Sequence, residues 1–543
     1  MEAPDKANIL SRPFYWIISI LLVISLFYRL GSWGVIDTSE ARYAEISRQM
    51  YHSGDYLHPV YMGIEHYHKP PMTYWITSIA YHIFGVSPFS ARFFLQIALL
   101  VQLLLIYRIT YRLYPDRSIA ISSTLIYASF MIVWVSVRNL TTDAYLNTFL
   151  LGATWSILTY LDKNKSILLY LFALFISLAF LTKITAVFVF MGSLFLFIIW
   201  QFREKLRWTW HLVGAAMVAL VISGLWFYLL ELEGKSVLKY MLYDQSVVRY
   251  TSDTFRRSMP WYFYFAAVSL LTFPWFFLVI TKLFRKTRLH SQYLIPVFSL
   301  CLILPIFFFS LSHSKLLLYI LPAIWALAVT GGKLFSAMEQ RTIRFWLRIE
   351  AVWIILIYTA ILTLPFIDSQ FSLGRPVLII IFSFMLLLLS IYVVKLIKPQ
   401  EKLLIMPLLF TFSIVMASTH FLSRNEENSS TGKIAAEWIK DKGLDDRPVY
   451  IYDKLAPSFA FHLSKEIIMI AENEKRELQF EFTDQWKNYY YDISDETRED
   501  ALLLALKKPA VLIARSNRIS KIDPEILSLF SQDYKSGLWT VFY

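Results

Sequence analysis

The sequence predicts a polytopic α-helical membrane protein of about thirteen spans, with juxtamembrane helices in its first long loop and a soluble α/β domain at the C-terminus. Three observations carry this. Of 543 residues, 57% are hydrophobic and only 17% charged, with mean hydropathy +0.50, too apolar for a soluble chain of this length. Apolar runs of about 18 residues or more recur, each long enough to cross a hydrocarbon core of ~30 Å. Beyond residue 425 the composition changes to that of a soluble domain.

The spans read as 13–31, 89–107, 118–136, 143–161, 167–182, 184–200, 211–230, 260–281, 291–310, 316–332, 349–366, 376–394 and 403–421. The first run lacks a small-residue cleavage site and is expected to stay as a span. The loops alternate in charge. One set carries most of the Lys and Arg, while the opposite short loops hold only Arg138, Lys183, Lys315 and Arg375. Basic loops stay inside, so the N-terminus reads as inside and, with an odd number of spans, the C-terminus as outside. The long loops 32–88 and 231–259 fall on the outer side, with the tail. This divides the chain into a transmembrane domain, 1–424, and an α/β domain, 425–543. In the tail, IAAEWIKDKG reads as a helix ended by Gly443, and PVYIYD, EIIMIA, PAVLIAR and LWTVFY read as strands.

Composition also excludes chemistries. Cys301 is the one cysteine, so an intrachain disulfide and a thiolate metal cluster are ruled out. The net charge of +12 could suggest nucleic acid, but Lys and Arg lie between apolar runs, where topology selection puts them, and no nucleic-acid partner is predicted. No Walker loop, HExxH or GxSxG occurs, which disfavours an ATP-driven pump and a serine hydrolase.

The polar groups that remain gather on the outer side. The stretch from Asp37 to Pro71 is dense in ionisable residues directly after an apolar run, and such residues are expensive to hold against a membrane without a function. Its first part has helical spacing, with Ala41, Ala44, Ile46 and Met50 on one side and Glu40, Arg42, Glu45 and Arg48 around the wetter side. Its end, His68-Lys69-Pro70-Pro71, cannot continue as helix, so Lys69 is expected in an extended turn. Asp37, Glu40, Arg42, Tyr43, Glu45, Tyr67 and Lys69 therefore come from the first loop. Arg138 and Asp143 come from a short loop, Arg249 and Arg256 from the second long loop, and Lys315 and Tyr319 from SLSHSKLLLYILP. Carboxylates with several cations at a membrane face suit an anionic phospholipid substrate: the cations neutralise phosphate, and a carboxylate takes a proton from an attacking hydroxyl. Structural roles stay open beside these: helix capping for Asp37, turn-to-turn pairing for Arg42 and Glu45, snorkelling for Lys69 and flank anchoring for Arg138.

These residues carry a resemblance. Arg42-Tyr43-Ala44-Glu45-Ile46 with Arg48, then Gly54-Asp55, Pro59, His68-Lys69-Pro70-Pro71 and Trp75, resembles the lipid A aminoarabinose transferases, bacterial C-type glycosyltransferases akin to protein O-mannosyltransferases. Lys315-Leu316-Leu317-Leu318-Tyr319-Ile320-Leu321-Pro322 is similar to the family's Lys-Leu-x-x-Tyr-x-Leu-Pro signature. The resemblance spans roughly 13–425 and implies an inner-membrane enzyme with a cytoplasmic N-terminus and a periplasmic C-terminal domain. It implies transfer of a sugar from undecaprenyl phosphate to a lipid A-type or protein acceptor, with no nucleotide sugar. In that reading Asp37 or Glu40 is the catalytic base, Lys69 holds the donor phosphate, and Asp143 is the second acid. Tyr319 and an arginine of the second loop line the phosphate pocket.

The chain departs from the family's pattern twice. The usual Asp-Glu-x-Arg-Tyr is here Ser39-Glu40-Ala41-Arg42-Tyr43, with the aspartate two positions earlier, at Asp37. His68 stands where close relatives carry an acid, which leaves the metal site and the aminoarabinose specificity open. These residues require no cofactor, and a divalent metal is left unassigned. A secondary transporter or lipid flippase would instead place its charges at mid-membrane within inverted repeats, and neither is seen. An assembly protein would leave the loop motif unexplained.

Overall fold

A computed structural model describes residues 10, 12–248, 258–284, 292–368, 372–472, 478 and 482–543. Among them, seven helices are long and apolar enough to cross a membrane, or up to nine if each of two bent pairs is one span. Burial sorts these helices. The window over Leu317–Ser336 is 83% buried and that over Pro399–Arg424 72%, so they form the centre. Trp210–Leu232 and Gln340–Ile367 are only 17% buried and turn their apolar faces outward, as lipid-facing helices do.

The first half runs α1 (Arg12–Phe27), α2 (Ser39–Ser53), the hairpin β1 (Val60–Tyr61) and β2 (Ile64–Glu65), α3 (Met72–Phe84), α4 (Pro88–Leu113), α5 (Arg117–Ser129), α6 (Met131–Arg138), α7 (Asp143–Lys163), α8 (Ile167–Phe180), α9 (Ile184–Phe202), α10 (Trp210–Leu232) and α11 (Val237–Leu242). Local chemistry sets their ends. Pro88 opens α4 behind a reciprocal Ser87–Ser90 capping box. The β1–β2 turn carries Met62 and Gly63 at positive φ, and the Tyr489 ring lies where a Cβ on residue 63 would project, so only glycine fits. Polar side chains join the spans: Gln102 Nε2 donates to Ala144 O (3.0 Å), Tyr127 OH donates to Gln102 Oε1 (2.8 Å), and Asn147 Nδ2 donates to Tyr127 OH (2.7 Å). In hydrocarbon each such bond contributes about 0.6 kcal/mol.

Two expected spans are not straight. The 118–136 run breaks at extended Phe130 into α5 and α6, bent by 59°. The 260–281 run divides into Phe263–Leu271 and Trp275–Phe284, bent by 107° around Pro274, which has no N–H to continue a helix. A second correction concerns α2. Glu40, Glu45 and Arg48 do not face water; all are buried. The helix lies between α3 and the helix Pro457–Leu463, and its charges are neutralised inside. Glu45 takes both Arg48 Nε and Nη2 at 2.7 Å.

Residues 449–542 contain a six-stranded sheet, in the order β5 (Tyr490–Asp492), β4 (Ile468–Ala471), β3 (Val449–Tyr452), β6 (Val511–Arg515), β8 (Trp539–Phe542) and β7 (Asp533–Ser536). The first four strands in that order are parallel, and β8 and β7 add antiparallel. The interior strand β3 is buried along its whole length, as a doubly covered parallel strand is. The segment leading into this layer is bonded to the first loop. Asp37 N donates to Ser430 O (2.9 Å), and Gly34 N donates to Glu426 Oε1 (2.5 Å).

Candidate functional site

The functional side chains are positioned by breaks between elements. Pro70 and Pro71 end the first loop and open α3, leaving His68 and Lys69 in a bend. Thr182 and Lys183 separate α8 from α9, with Lys183 in extended conformation just before α9. Residues 311–316 join the end of one apolar helix, Leu304–Ser310, to Leu317–Ser336. These breaks meet around a cavity of about 330 Å³. His68, Lys69, Lys183, Gln245, Ser314 and Tyr319 belong to its polar wall, and Val189, Phe308 and Phe309 contribute to its apolar wall.

Asp143 and Lys183 are the central pair. Asp143 begins α7, where the free backbone donors favour a carboxylate. Lys183 Nζ donates to Asp143 Oδ1 at 2.7 Å and lies 4.0 Å from the Tyr319 ring centroid. Burial works against the ammonium, but Asp143 and Tyr319 outweigh it, and the Lys183 pKa is raised. Lys69 Nζ donates to His68 O (2.8 Å). The His68 ring lies 3.9 Å from that of His66, centroid to centroid. Burial, then Arg42 and Lys69, hold His66 well below its usual pKa, so it is neutral. Two lysines on a mostly apolar wall can hold a phosphate whose substituent is hydrocarbon. Among the described residues, no group of three or more His, Cys, Asp or Glu is placed to hold a metal ion.

The expected site residues divide. Lys69 and Tyr319 line the cavity, and Asp143 bonds to a residue that does. Asp37 and Glu40 do not line it. Asp37 accepts from Ser458 N (3.0 Å) and Oγ (2.7 Å), and burial raises its pKa to about 7 against those two donors. Glu40 takes Arg92 Nε at 2.7 Å and Nη2 at 2.8 Å, and also accepts from Leu140 N and Ile36 N. Arg138 donates to Leu26 O, Tyr28 O and Thr419 Oγ1, tying the end of α1 to the central helix Pro399–Arg424.

Others serve the surrounding frame. Arg42 lies 5.7 Å from the Tyr43 ring, and Tyr43 packs on Tyr74. Glu45 is taken by Arg48, and Tyr67 OH donates to Glu65 (2.7 Å). Lys315 donates to Met259 O (3.0 Å) and Ser312 O (2.5 Å), fixing the bend before Leu317–Ser336. Arg249 and Arg256 lie outside the described residues. Lys183 and Gln245 were not among the expected site residues. The signal for Lys183 was there: it sits alone between two apolar runs, as Asp143 sits alone at the head of one, and two isolated opposite charges at span ends imply a pair.

Comparison with known proteins agrees with this geometry. Residues 68–228 match the family model described as dolichyl-phosphate-mannose-protein mannosyltransferase. The undecaprenyl phosphate-alpha-4-amino-4-deoxy-L-arabinose arabinosyl transferase of Pseudomonas paraeruginosa is 28% identical over 333 residues, 59% of this chain and 59% of that protein. A protein of Aquifex aeolicus is 28% identical over 347 residues, 63% of this chain and 68% of that protein. The match thus reaches about three fifths of the length of the curated arabinosyl transferases. The crystal structure of ArnT from Cupriavidus metallidurans bound to undecaprenyl phosphate superimposes with TM-score 0.79 at 20% identity, covering 98% of both chains. The chain thus has the fold of the crystallised ArnT and is similar in sequence, over about three fifths of its length, to the arabinosyl transferases.

Proposed function

We propose that this protein is an inner-membrane glycosyltransferase that moves a sugar from an undecaprenyl phosphate-type donor to a lipid A-type acceptor on the periplasmic side. The observation that carries the reading is the two-sided cavity: Lys69 and Lys183 for the donor phosphate, and Val189, Phe308 and Phe309 for its prenyl chain. The relatives named as undecaprenyl phosphate-aminoarabinose transferases support the same donor class. The match to a protein mannosyltransferase model favours, as a second reading, a protein hydroxyl as acceptor.

The step needs little beyond positioning and charge. An acceptor oxygen bonds to the anomeric carbon, the bond from that carbon to the phosphate oxygen breaks, and undecaprenyl phosphate leaves with the electron pair. Lys69 and Lys183 hold the charge on the leaving phosphate. A phosphate acceptor is already ionised and gives up no proton. A hydroxyl acceptor gives its proton to a carboxylate, and Asp143, bonded to a cavity residue, is the acid suited to take it. Asp37 and Glu40 act outside the cavity, as joints of the first loop.

The same reading includes thirteen spans: the seven long helices, the two bent pairs, the three shorter apolar helices and Asp143–Lys163. It puts the N-terminus in the cytoplasm and the six-stranded sheet, as a separate α/β domain, in the periplasm. The test is sugar transfer and undecaprenyl phosphate binding by the purified chain in lipid nanodiscs. Lys69→Met and Lys183→Met are each expected to weaken binding of undecaprenyl phosphate about tenfold, the loss of one charge-assisted contact. Unchanged binding in both variants would remove the assignment.

A further inference from the structure

We infer that the tail completes the donor site, with Phe482 as a positioning residue that fixes two outer loops against each other where they line the cavity. This rests on the reading of the cavity as the donor site. Phe482 precedes the helical turn Asp484–Asn488, which leads into β5. Its ring centroid lies 4.8 Å from that of Tyr67 in the first loop and 5.9 Å from that of Tyr240 in α11, edge-on to both. Each of these tyrosines stands directly before cavity residues. His68 and Lys69 follow Tyr67, Met241 and Leu242 follow Tyr240, and all four line the cavity. Tyr240 also stacks on His68 at 6.1 Å and accepts from Gln245 Nε2 at 2.8 Å. One ring of the tail therefore touches both loops through residues adjacent to the cavity lining.

The local elements are too short to hold these loops in place. β1 and β2 are two residues each, and α11 is six residues long; elements of that length are marginal alone. Side-chain packing therefore sets where Lys69 stands relative to Met241. The tail meets the first loop at two points: Phe482 on Tyr67, and the Tyr489 ring over Gly63 in the β1–β2 turn. Tyr67 is fully buried there, with Trp226 of α10 also packed on it at 6.2 Å, so its ring moves only if the packing around it opens. The arrangement with Phe482 seated between the two tyrosines is the one that binds donor. By linkage, the seated ring favours donor binding, and bound donor favours the seated ring by the same factor.

The experiment measures undecaprenyl phosphate binding and amide hydrogen exchange on the full chain in lipid nanodiscs. Phe482→Ala is expected to bind undecaprenyl phosphate about tenfold more weakly, and Phe482→Tyr, which keeps the ring, to bind as the wild type does. In the wild type, saturating undecaprenyl phosphate is expected to slow exchange over residues 482–490, none of which lines the cavity, by about the same factor. Packing that merely stabilised the fold would leave exchange there indifferent to the lipid. Wild-type affinity in Phe482→Ala, or exchange over 482–490 that ignores the lipid, would overturn the inference while leaving the donor site intact. The exchange measurement needs no variant, so it decides the matter even where Phe482→Ala does not fold. Failure of undecaprenyl phosphate to bind the wild-type chain would overturn the donor-site reading, and this inference with it.

Discussion

At the scale of single residues, the buried acids of the first loop act as fixed joints. Glu40 and Arg92 satisfy each other through two short bonds, and Arg92 also donates to Leu30 O and Trp33 O (both 3.1 Å). Removing one partner from such a pair leaves the other as an uncompensated buried charge. Glu40→Ala is therefore expected to destabilise the protein by about 3–5 kcal/mol, while Glu40→Ala with Arg92→Met recovers most of that. Thermal unfolding of the three proteins checks this. Loss of sugar transfer in Glu40→Ala with unchanged unfolding would instead make Glu40 a catalytic group. Sequence spacing could place Glu40 on a helix, but its partner lies fifty-two residues away, and no local pattern reports such a contact. Asp37 is the same case at a separation of 421 residues. Lys69 and Tyr319 were legible because their motifs are short and local, with proline fixing the backbone nearby.

Among elements, the first loop is clamped to the end of α10 by a charged cluster. His58 Nδ1 meets Asp55 Oδ2 and His58 Nε2 meets Glu233 Oε2, both at 2.8 Å. Lys235 completes the cluster, meeting Glu65 (2.9 Å) and Glu233 (3.0 Å). Burial lowers the His58 pKa, but the two carboxylates outweigh burial and Lys235, leaving it above the usual 6.5. A histidine held above its unfolded value contributes stability that is fully present below about 6.5 and is lost as pH rises through the raised value. The unfolding midpoint of the wild type is expected to fall as pH rises above 6.5, and His58→Gln to flatten that slope. Equal slopes in both proteins would remove the clamp. The apolar runs themselves were plain in the sequence, because hydrocarbon length alone dictates them. Their breaks at Phe130 and Pro274 were harder to see, since a run of apolar residues carries no mark of where packing bends it.

Across the whole molecule, the six-stranded layer is held to the membrane domain through Asp37 and Ser458. Ser458→Ala removes the shorter of the two bonds and is expected to ease opening of this joint by about 1 kcal/mol. Hydrogen exchange over residues 30–37 and 456–463 would read it, as a rise confined to those segments. Exchange unchanged there would mean that other contacts, such as Gly34 with Glu426, carry the joint alone.

The two joints also differ in when they can close. Glu40 and Arg92 leave the ribosome close together, so their bond can form once the helix from Pro88 has entered the bilayer. Asp37 must wait for Ser458, which is made 421 residues later. The helices up to Pro88–Leu113 can therefore assemble first, while the Asp37 carboxylate lacks this partner until the helix Pro457–Leu463 is made. That bond therefore marks the arrival of the tail against the first loop, and a chain truncated before residue 458 would leave the Asp37 carboxylate without its Ser458 donors.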